Sequence, residues 1–341
     1  MISAGIRLTL NAHKLILNQI RGKIAILLYH RVASHIPDPQ LLCVSTSNFD
    51  QQIKYLKANF DILSMPQLAD CLNDYRLPHK AVVITFDDGY ADNYFNAFPI
   101  LQHYAVPATI YVSSGYVSTD KEMLSDELEY LILQAKNLPD KIILDINGIS
   151  HTFEFDNIST HHIPWDITCQ NSSSKRYRSY YDLHKIIKPL DSNYRERVLN
   201  SLAERIGCPR PKRFDRRIMN KNEIRILDKN KLITIGAHAL SHVMLAQQNY
   251  KEQYNEIAVD KNNLEELLGH TVHHFAYPYG GNMSVSQDTT DFVQKLGYLT
   301  ACDSTSGLVY KKSNKLLLPR FIIRNWDVDI FKNHIKSFFR Y

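Results

Sequence analysis

The stretch ITFDDGYADNYFNAFPIL, Ile84 to Leu101, carries an apolar run straight into two adjacent aspartates, Asp87 and Asp88, and closes on Gly89. Neighbouring carboxylates repel each other and gain nothing from a core, so a strand ending in a pair of them serves something other than packing. Successive side chains on a strand point to opposite sides. One aspartate of the pair can therefore hold a cation while the other stays free to accept a proton.

Outward from this stretch the same pattern recurs. KIAILLYH (23–30), AVVITFDD (81–88), PATIYVSS (107–114), KLITIGAH (231–238), HHFAYPYG (273–280), YLTACDS (298–304) and LLPRFIIRN (317–325) read as buried parallel strands rich in Ile, Val, Tyr and Thr. Helical patterns lie between several of them: SNFDQQIKYLKANF, with Ser47 as its cap, NYFNAFPILQHYA, and YKEQYNEIAVDKNNLEELLG, closed by Gly269. Such alternation implies a parallel sheet with helices outside.

Polar residues fall at the C-terminal ends of different runs: His30, Asp87, Asp88, His238, Tyr279, Asp303 and Arg324. A doubly wound open sheet collects only a few such ends at its switch point, whereas a closed barrel brings all of them to one face. The expected fold is α/β, a distorted, TIM-like (β/α) barrel of about seven strands over residues 23–341. One stretch, about 124–225, breaks the rhythm. It holds a hairpin-like part (KIILDINGISHTFEFD), a loop-rich polar part (ITCQNSSSKRYRSYY) and the helical DSNYRERVLNSLAERIG, and it reads as one long insertion on the active-site side.

The composition excludes several classes. With 341 residues, 44% hydrophobic and 22% charged, the chain is an ordinary globular one without repeats or low-complexity tracts. A formal charge of +5 spread along its length makes no nucleic-acid footprint. Cys43, Cys71, Cys169, Cys208 and Cys302 are odd in number and never form a C-x-x-C pair, so they read as reduced thiols. Residues 1–22 are basic and place Ile6, Leu10, His13 and Leu17 on one helical face, which suits a helix packed on the body or lying on an anionic membrane surface. They lack an apolar core and a cleavage site, and no segment is long enough to span a bilayer, so the expected location is cytoplasmic, at the inner face of the membrane if that helix docks there.

The second half of a cation site needs nitrogen ligands, and IGAHALSHVML supplies His238 and His242 within a turn of a strand end. An H-x-x-x-H pair alone is weak in a chain with 15 histidines. Matched to an Asp-Asp-Gly turn after another strand, the set Asp88, His238 and His242 suits a divalent cation, zinc first and nickel or cobalt as alternatives, with a position left open for water.

Three motifs in order, T-F-D-D-G-Y-x-D-N, H-x-x-S-H and F-A-Y-P-Y-G, resemble the polysaccharide deacetylase family, the NodB-homology or carbohydrate esterase family four enzymes, over roughly residues 24–325. ILLYHRV near the N-terminus is similar to the branch that includes biofilm poly-N-acetylglucosamine deacetylases. The resemblance implies metal-dependent removal of acetyl from an N-acetylated sugar of a surface polysaccharide or its lipid- or nucleotide-linked precursor. It makes Asp87 the general base and Asp88, His238 and His242 the metal ligands. The backbone amide of Tyr279, in the turn with Pro278, Gly280 and Gly281, is the candidate oxyanion donor. A family histidine near the C-terminus is missing here, so His30 takes the role of general acid, with Asp303, Arg320 and Arg324 as candidates to orient the pair. Trp165, Tyr177, Tyr180 and Tyr181 of the insertion are candidate stacking surfaces for sugar rings, or the insertion's own core. The competing readings are an inactive glycan-binding barrel and, less favoured, a glycosidase using Asp87 or Asp88.

Overall fold

The computed structural model describes residues 22–34, 37–156, 166–168 and 174–340. The amphipathic segment 1–22, except Gly22, lies outside the described residues, as do His161, His162, Trp165 and Cys169.

Each apolar run forms a strand where its branched and aromatic residues place it. In chain order the elements are β1 (Lys23–Tyr29), α1 (Thr46–Asn59), β2 (Asp61–Leu63), α2 (Met65–Asn73), β3 (Lys80–Phe86) and β4 (Ala108–Val112). After the inserted segment come α5 (Lys221–Asp228), β7 (Ile233–Ala237), α6 (Tyr250–Leu268), β8 (His274–Ala276), α7 (Gln287–Lys295), β9 (Thr300–Cys302), β10 (Phe321–Ile322) and α8 (Val328–Phe338). Seven parallel strands run in the order β9-β8-β7-β4-β3-β1-β10, with β2 beside the first half of β3. A single segment nearly completes the ring: the Leu318 amide donates to Ala301 of β9, and a few residues later β10 pairs with β1. The expected distorted barrel of about seven strands is thus present. β2, only three residues long, was too short to read as a strand.

Strand alternation divides the core in two. Ile24 and Ile26, Ala81 and Val83, Tyr111, Ala276, Cys302 and Leu318 form one buried cluster together with Met65, Leu68 and Leu72 of α2. The alternate residues, Ala25, Leu27 and Tyr29 with Val82, Ile84 and Phe86, pack instead against Phe49 and Ile53 of α1, Ile257 of α6 and Phe331 of α8. Continuing the first register carries β1 through Leu28 to His30 and β3 through Thr85 to Asp87, so both site residues sit above the inner cluster.

The segment from Leu124 onward builds a second core. It contains a hairpin, β5 (Lys141–Ile146) with β6 (Ile149–Glu154), and helices α3 (Lys175–Ile187) and α4 (Ser192–Ile206). Leu128, Ile142, Tyr180, Leu183, Leu199 and Leu202 are buried together, whereas Ile224 and Leu227 of α5, at the end of the stretch read as inserted, belong to the barrel core. Arg31 fastens the two parts, donating 2.8 Å to Asp92 of the barrel and 3.2 Å to Asp126 of the inserted segment.

Three local readings are corrected. The cap of α1 is Ser45, whose hydroxyl accepts from the Asn48 amide, not Ser47. KRYRSYY is helical rather than loop, because Tyr177, Tyr180, Leu183 and Ile187 recur at helical spacing and make an apolar face. Tyr177 and Tyr180 are therefore buried in the inserted core and cannot stack on a sugar; Tyr181 is 48% exposed. Among the described residues Cys43, Cys71, Cys208 and Cys302 are free thiols, and no helix is long and apolar enough to cross a membrane.

Candidate metal and catalytic site

The C-terminal ends of β1, β3, β7 and β8 surround a cavity of 120 Å³ lined by His30, Asp87, Asp88, His238, His242 and Tyr279. All six residues singled out in the sequence meet there. Residues of the inserted segment, Ser125 and His184, also line the cavity, together with Gln40.

Asp87 and Asp88 have the separate environments that strand alternation calls for. Both Asp87 oxygens accept from the Arg320 guanidinium, at 2.6 and 2.7 Å, within a fully buried pair. Burial opposes ionisation of Asp87, yet Arg320 and then His238 outweigh it and hold the carboxyl below the usual carboxylate range. Of the three candidates to orient the pair, Arg320 is the one that contacts Asp87. Arg324 donates instead to the carbonyls of Gln40 and Leu41, and Asp303 accepts from the Gly281 amide at 2.6 Å.

Asp88 leaves the strand with φ 73°, followed by Gly89 at 79°, and this left-handed step swings its carboxylate away from Asp87. Its Oδ1 lies 3.4 Å from His238 Nε2 and 3.1 Å from His242 Nε2, and it is buried without a hydrogen-bond partner. The three donor atoms lie within 4.8 Å of one another. His238 Nδ1 donates 2.7 Å to the Ala276 carbonyl, which can only accept, so in the neutral ring the lone pair sits on Nε2, facing the cluster. A buried carboxylate oxygen with no proton donor, facing two imidazole nitrogens, fits a divalent cation better than it fits a hydrogen-bonded core. Burial favours the neutral acid at Asp88, but His242 and His238 more than offset it and place its pKa well below the usual range.

The ligand loop is held from α6. Asp260 accepts from the amides of His238 (2.9 Å) and Ser114 (2.8 Å), and Glu256 accepts from the amide and hydroxyl of Ser241. Ala239 and His242 adopt φ 60° and 51°, a conformation that these fixed contacts sustain. Sequence reading missed Asp260 and Glu256, although a signal existed: Asp260 falls three residues after the buried Ile257 and four before the buried Leu264, which sets a carboxylate in an apolar helix stripe.

Tyr279 sits at φ 64° in the turn after β8, and its amide has no acceptor among the described residues. Gly280, φ 63°, must be glycine because a Cβ would collide with Ser304. The His30 imidazole has no hydrogen-bond partner among the described residues, and burial lowers its pKa despite the nearby Asp88 and Asp87.

The polysaccharide deacetylase family model matches residues 74–131 and 212–301, and the gap between the two stretches falls on the inserted segment. Over these two stretches the chain is similar to the polysaccharide deacetylase family. It is 36% identical over 105 residues to the poly-beta-1,6-N-acetyl-D-glucosamine N-deacetylase of Escherichia coli (strain K12), covering 29% of this chain and 16% of that protein. Of the curated relatives it matches, the chain aligns with 46% of one and 27% of another. The Streptococcus pyogenes deacetylase PplD, solved in complex with acetate, shares the fold with TM-score 0.58 and 18% identity, over 93% of this chain and 99% of that one. IcaB from Ammonifex degensii does likewise, with TM-score 0.58 and 16% identity over 95% and 99%. At these identities the two structures establish the barrel.

Proposed function

We propose that this chain is a metal-dependent N-deacetylase. It removes acetyl from an N-acetylated sugar of a surface polysaccharide or of its lipid- or nucleotide-linked precursor. One observation carries the reading: an unpartnered buried carboxylate oxygen of Asp88 faces two imidazoles, beside a second carboxylate that Arg320 keeps ionised. The substrate class is supported by the name of the Escherichia coli relative.

Asp88, His238 and His242 would hold the cation, which when bound supplies Lewis acidity toward the acetyl carbonyl and acidifies a water. Asp87, ionised and fixed by Arg320, accepts that water's proton as the water attacks the carbonyl carbon. The Tyr279 amide donates to the oxygen on which negative charge develops. His30, facing the same cavity from β1, donates a proton to the departing nitrogen, because expelling an unprotonated amide nitrogen is prohibitive. The neutral imidazole that burial favours takes up its proton again between turnovers.

Elemental analysis of the purified chain together with acetate release from N-acetylated glycans tests the reading. We expect one equivalent of divalent metal per chain, and activity lost to a chelator and restored by added metal. Acetate release that survives full removal of metal would overturn it.

A further inference from the structure

Three cations contact residues that line the cleft, more positive charge than deacetylation of a neutral sugar employs. Buried and half-buried cations elsewhere in the chain sit against carboxylates: Arg31 on Asp92, Arg210 on Glu127, Arg213 on Glu122 and Arg217 on Glu223. Lys188, Arg195 and Arg324 depart from this rule, with no carboxylate within 4.0 Å among the described residues. Arg176 is a fourth such cation, and its donors go to the carbonyls of Asp156 and Ala135 inside the inserted segment. The other three cluster around the cleft.

Two of the three are occupied. Arg195 of α4 donates to the carbonyls of His242 (3.2 Å) and Lys188 (3.1 Å), and Arg324 donates to those of Gln40 and Leu41. Lys188, just past α3, is different. Its ammonium lies 5.1 Å from the centroid of the ring of Tyr279, a residue that lines the cavity, and among the described residues it donates to no oxygen. A half-buried ammonium has lost part of its hydration, and a ring face replaces only some of it. A neutral glycan would deepen that loss without supplying an anion.

We infer that the cleft takes an acetamido sugar bearing a phosphate beside the reacting sugar, and that the Lys188 ammonium is the counter-ion of that phosphate. This inference rests on the deacetylase reading and selects, within it, the phosphate-linked precursor over the finished neutral polymer. A single ammonium with three rotatable donors matches a tetrahedral oxyanion. A guanidinium fork suits carboxylate and phosphate alike, but the two nearby guanidiniums already serve carbonyls, which leaves the Lys188 ammonium, a point charge of the kind that binds phosphate, to meet the anion. Nucleotide diphosphate and lipid diphosphate sugars share this chemistry.

Titration calorimetry with chelator present removes both turnover and any contribution of the metal. N-acetylglucosamine 1-phosphate should bind the full chain at least ~10-fold more tightly than methyl N-acetylglucosaminide, the range of a charge-assisted hydrogen bond. Lys188→Gln should erase that preference and leave the neutral sugar's affinity unchanged, while Lys188→Arg retains most of it. Equal affinity for the two sugars, or equal weakening of both in Lys188→Gln, overturns the inference; the second result would make Lys188 a support for Tyr279. On the metal-loaded chain, acetate release is compared for UDP-N-acetylglucosamine, a short-chain prenyl diphosphate N-acetylglucosamine and a neutral β-1,6 oligomer. A higher kcat/KM for either diphosphate supports the inference and identifies the source. Faster turnover of the neutral oligomer, unaffected by Lys188→Gln, overturns the inference and leaves the deacetylase reading standing. No acetate from any of the three defeats the deacetylase reading, and with it the inference.

Discussion

Replacing Arg320 by methionine tests the electrostatics of the catalytic corner through folding rather than turnover. Arg320 is 0% exposed and Asp87 4%, and the pair shares hydrogen bonds of 2.6 and 2.7 Å. Removing one partner of a buried pair leaves an uncompensated charge, which costs about 3–5 kcal/mol. In the unmutated protein Asp87 has a depressed folded pKa, so its contribution to stability is present above the ordinary aspartate pKa and is lost as pH falls through the folded value. In Arg320→Met burial dominates and the folded pKa rises above the unfolded one. The sign then reverses: stability falls as pH rises past about 4, the ordinary aspartate value. Urea unfolding with chelator present, followed by the fluorescence of Trp165 and Trp326, should show a loss of about 3–5 kcal/mol at pH 8 that narrows at pH 5. The double variant Asp87→Asn/Arg320→Met should recover much of the loss, because neither position of the pair then carries a charge. A loss below about 1 kcal/mol at pH 8, with the pH slope unaltered, would refute the ion pair as the element that keeps the base ionised.

The proposed division of labour predicts that His238→Ala and His242→Ala fold but lose tight metal binding in a chelator competition, with full occupancy in either as the contrary result. Asp87→Asn should keep the metal and lose about 10²–10⁴-fold in kcat, whereas Asp88→Asn should lose the metal; identical behaviour of the two would end the assignment. His30→Ala should impair amide cleavage far more than hydrolysis of an aryl acetate, whose phenolate leaves unprotonated, and equal impairment would remove His30 as the acid. Away from the cleft, burial pushes the His274 imidazole down to about 4, with Thr300 Oγ1 2.8 Å from its Nδ1. It is neutral in the fold, so its contribution is complete above about pH 6.5 and is lost as pH falls toward 4, by about 3 kcal/mol in all. His274→Asn should flatten the stability curve across that window, and an unchanged slope would contradict it.

The strands, and the convergence of His30, Asp87, Asp88, His238, His242 and Tyr279 on one cavity, were legible because both depend on local chemistry. An apolar branched run that ends in Asp-Asp-Gly or in His states its own register, and parallel strands place such ends on one face. What could not be read depends on contacts distant in sequence. Arg320 meets Asp87 across 233 residues, and nothing near either marks it out from Arg324, which lies four positions later and holds a different loop. The inserted helix α3 looked like loop because its polar residues outnumber its buried ones, and only the spacing of Tyr177, Tyr180 and Leu183 carried the helix. His184 and Ser125 were not foreseen at the cavity, since the inserted segment reveals its approach to the barrel only through tertiary packing.

The left-handed residues of the cleft explain why the site is assembled this way. Asp88, Ala239, His242 and Tyr279 are four of the nine described non-glycine residues with positive φ; Asp88, His242 and Tyr279 line one cavity, and Ala239 belongs to the loop that carries His242. Each such conformation costs about 1–3 kcal/mol, so none would persist without fixed partners. Those partners are in place: the Asp260 and Glu256 carboxylates hold the loop of His238 to His242, Arg195 holds the His242 carbonyl, and Ser304 donates to the Tyr279 carbonyl at 2.9 Å. The strain turns Asp88 away from Asp87 and aims it at the imidazoles, which is how two adjacent carboxylates come to occupy separate environments. Two of the three supports are α6 and the segment after β9, both part of the barrel, while the third reaches in from the inserted α4. The inserted segment therefore both lines the cavity, through Ser125 and His184, and braces it, through Arg195.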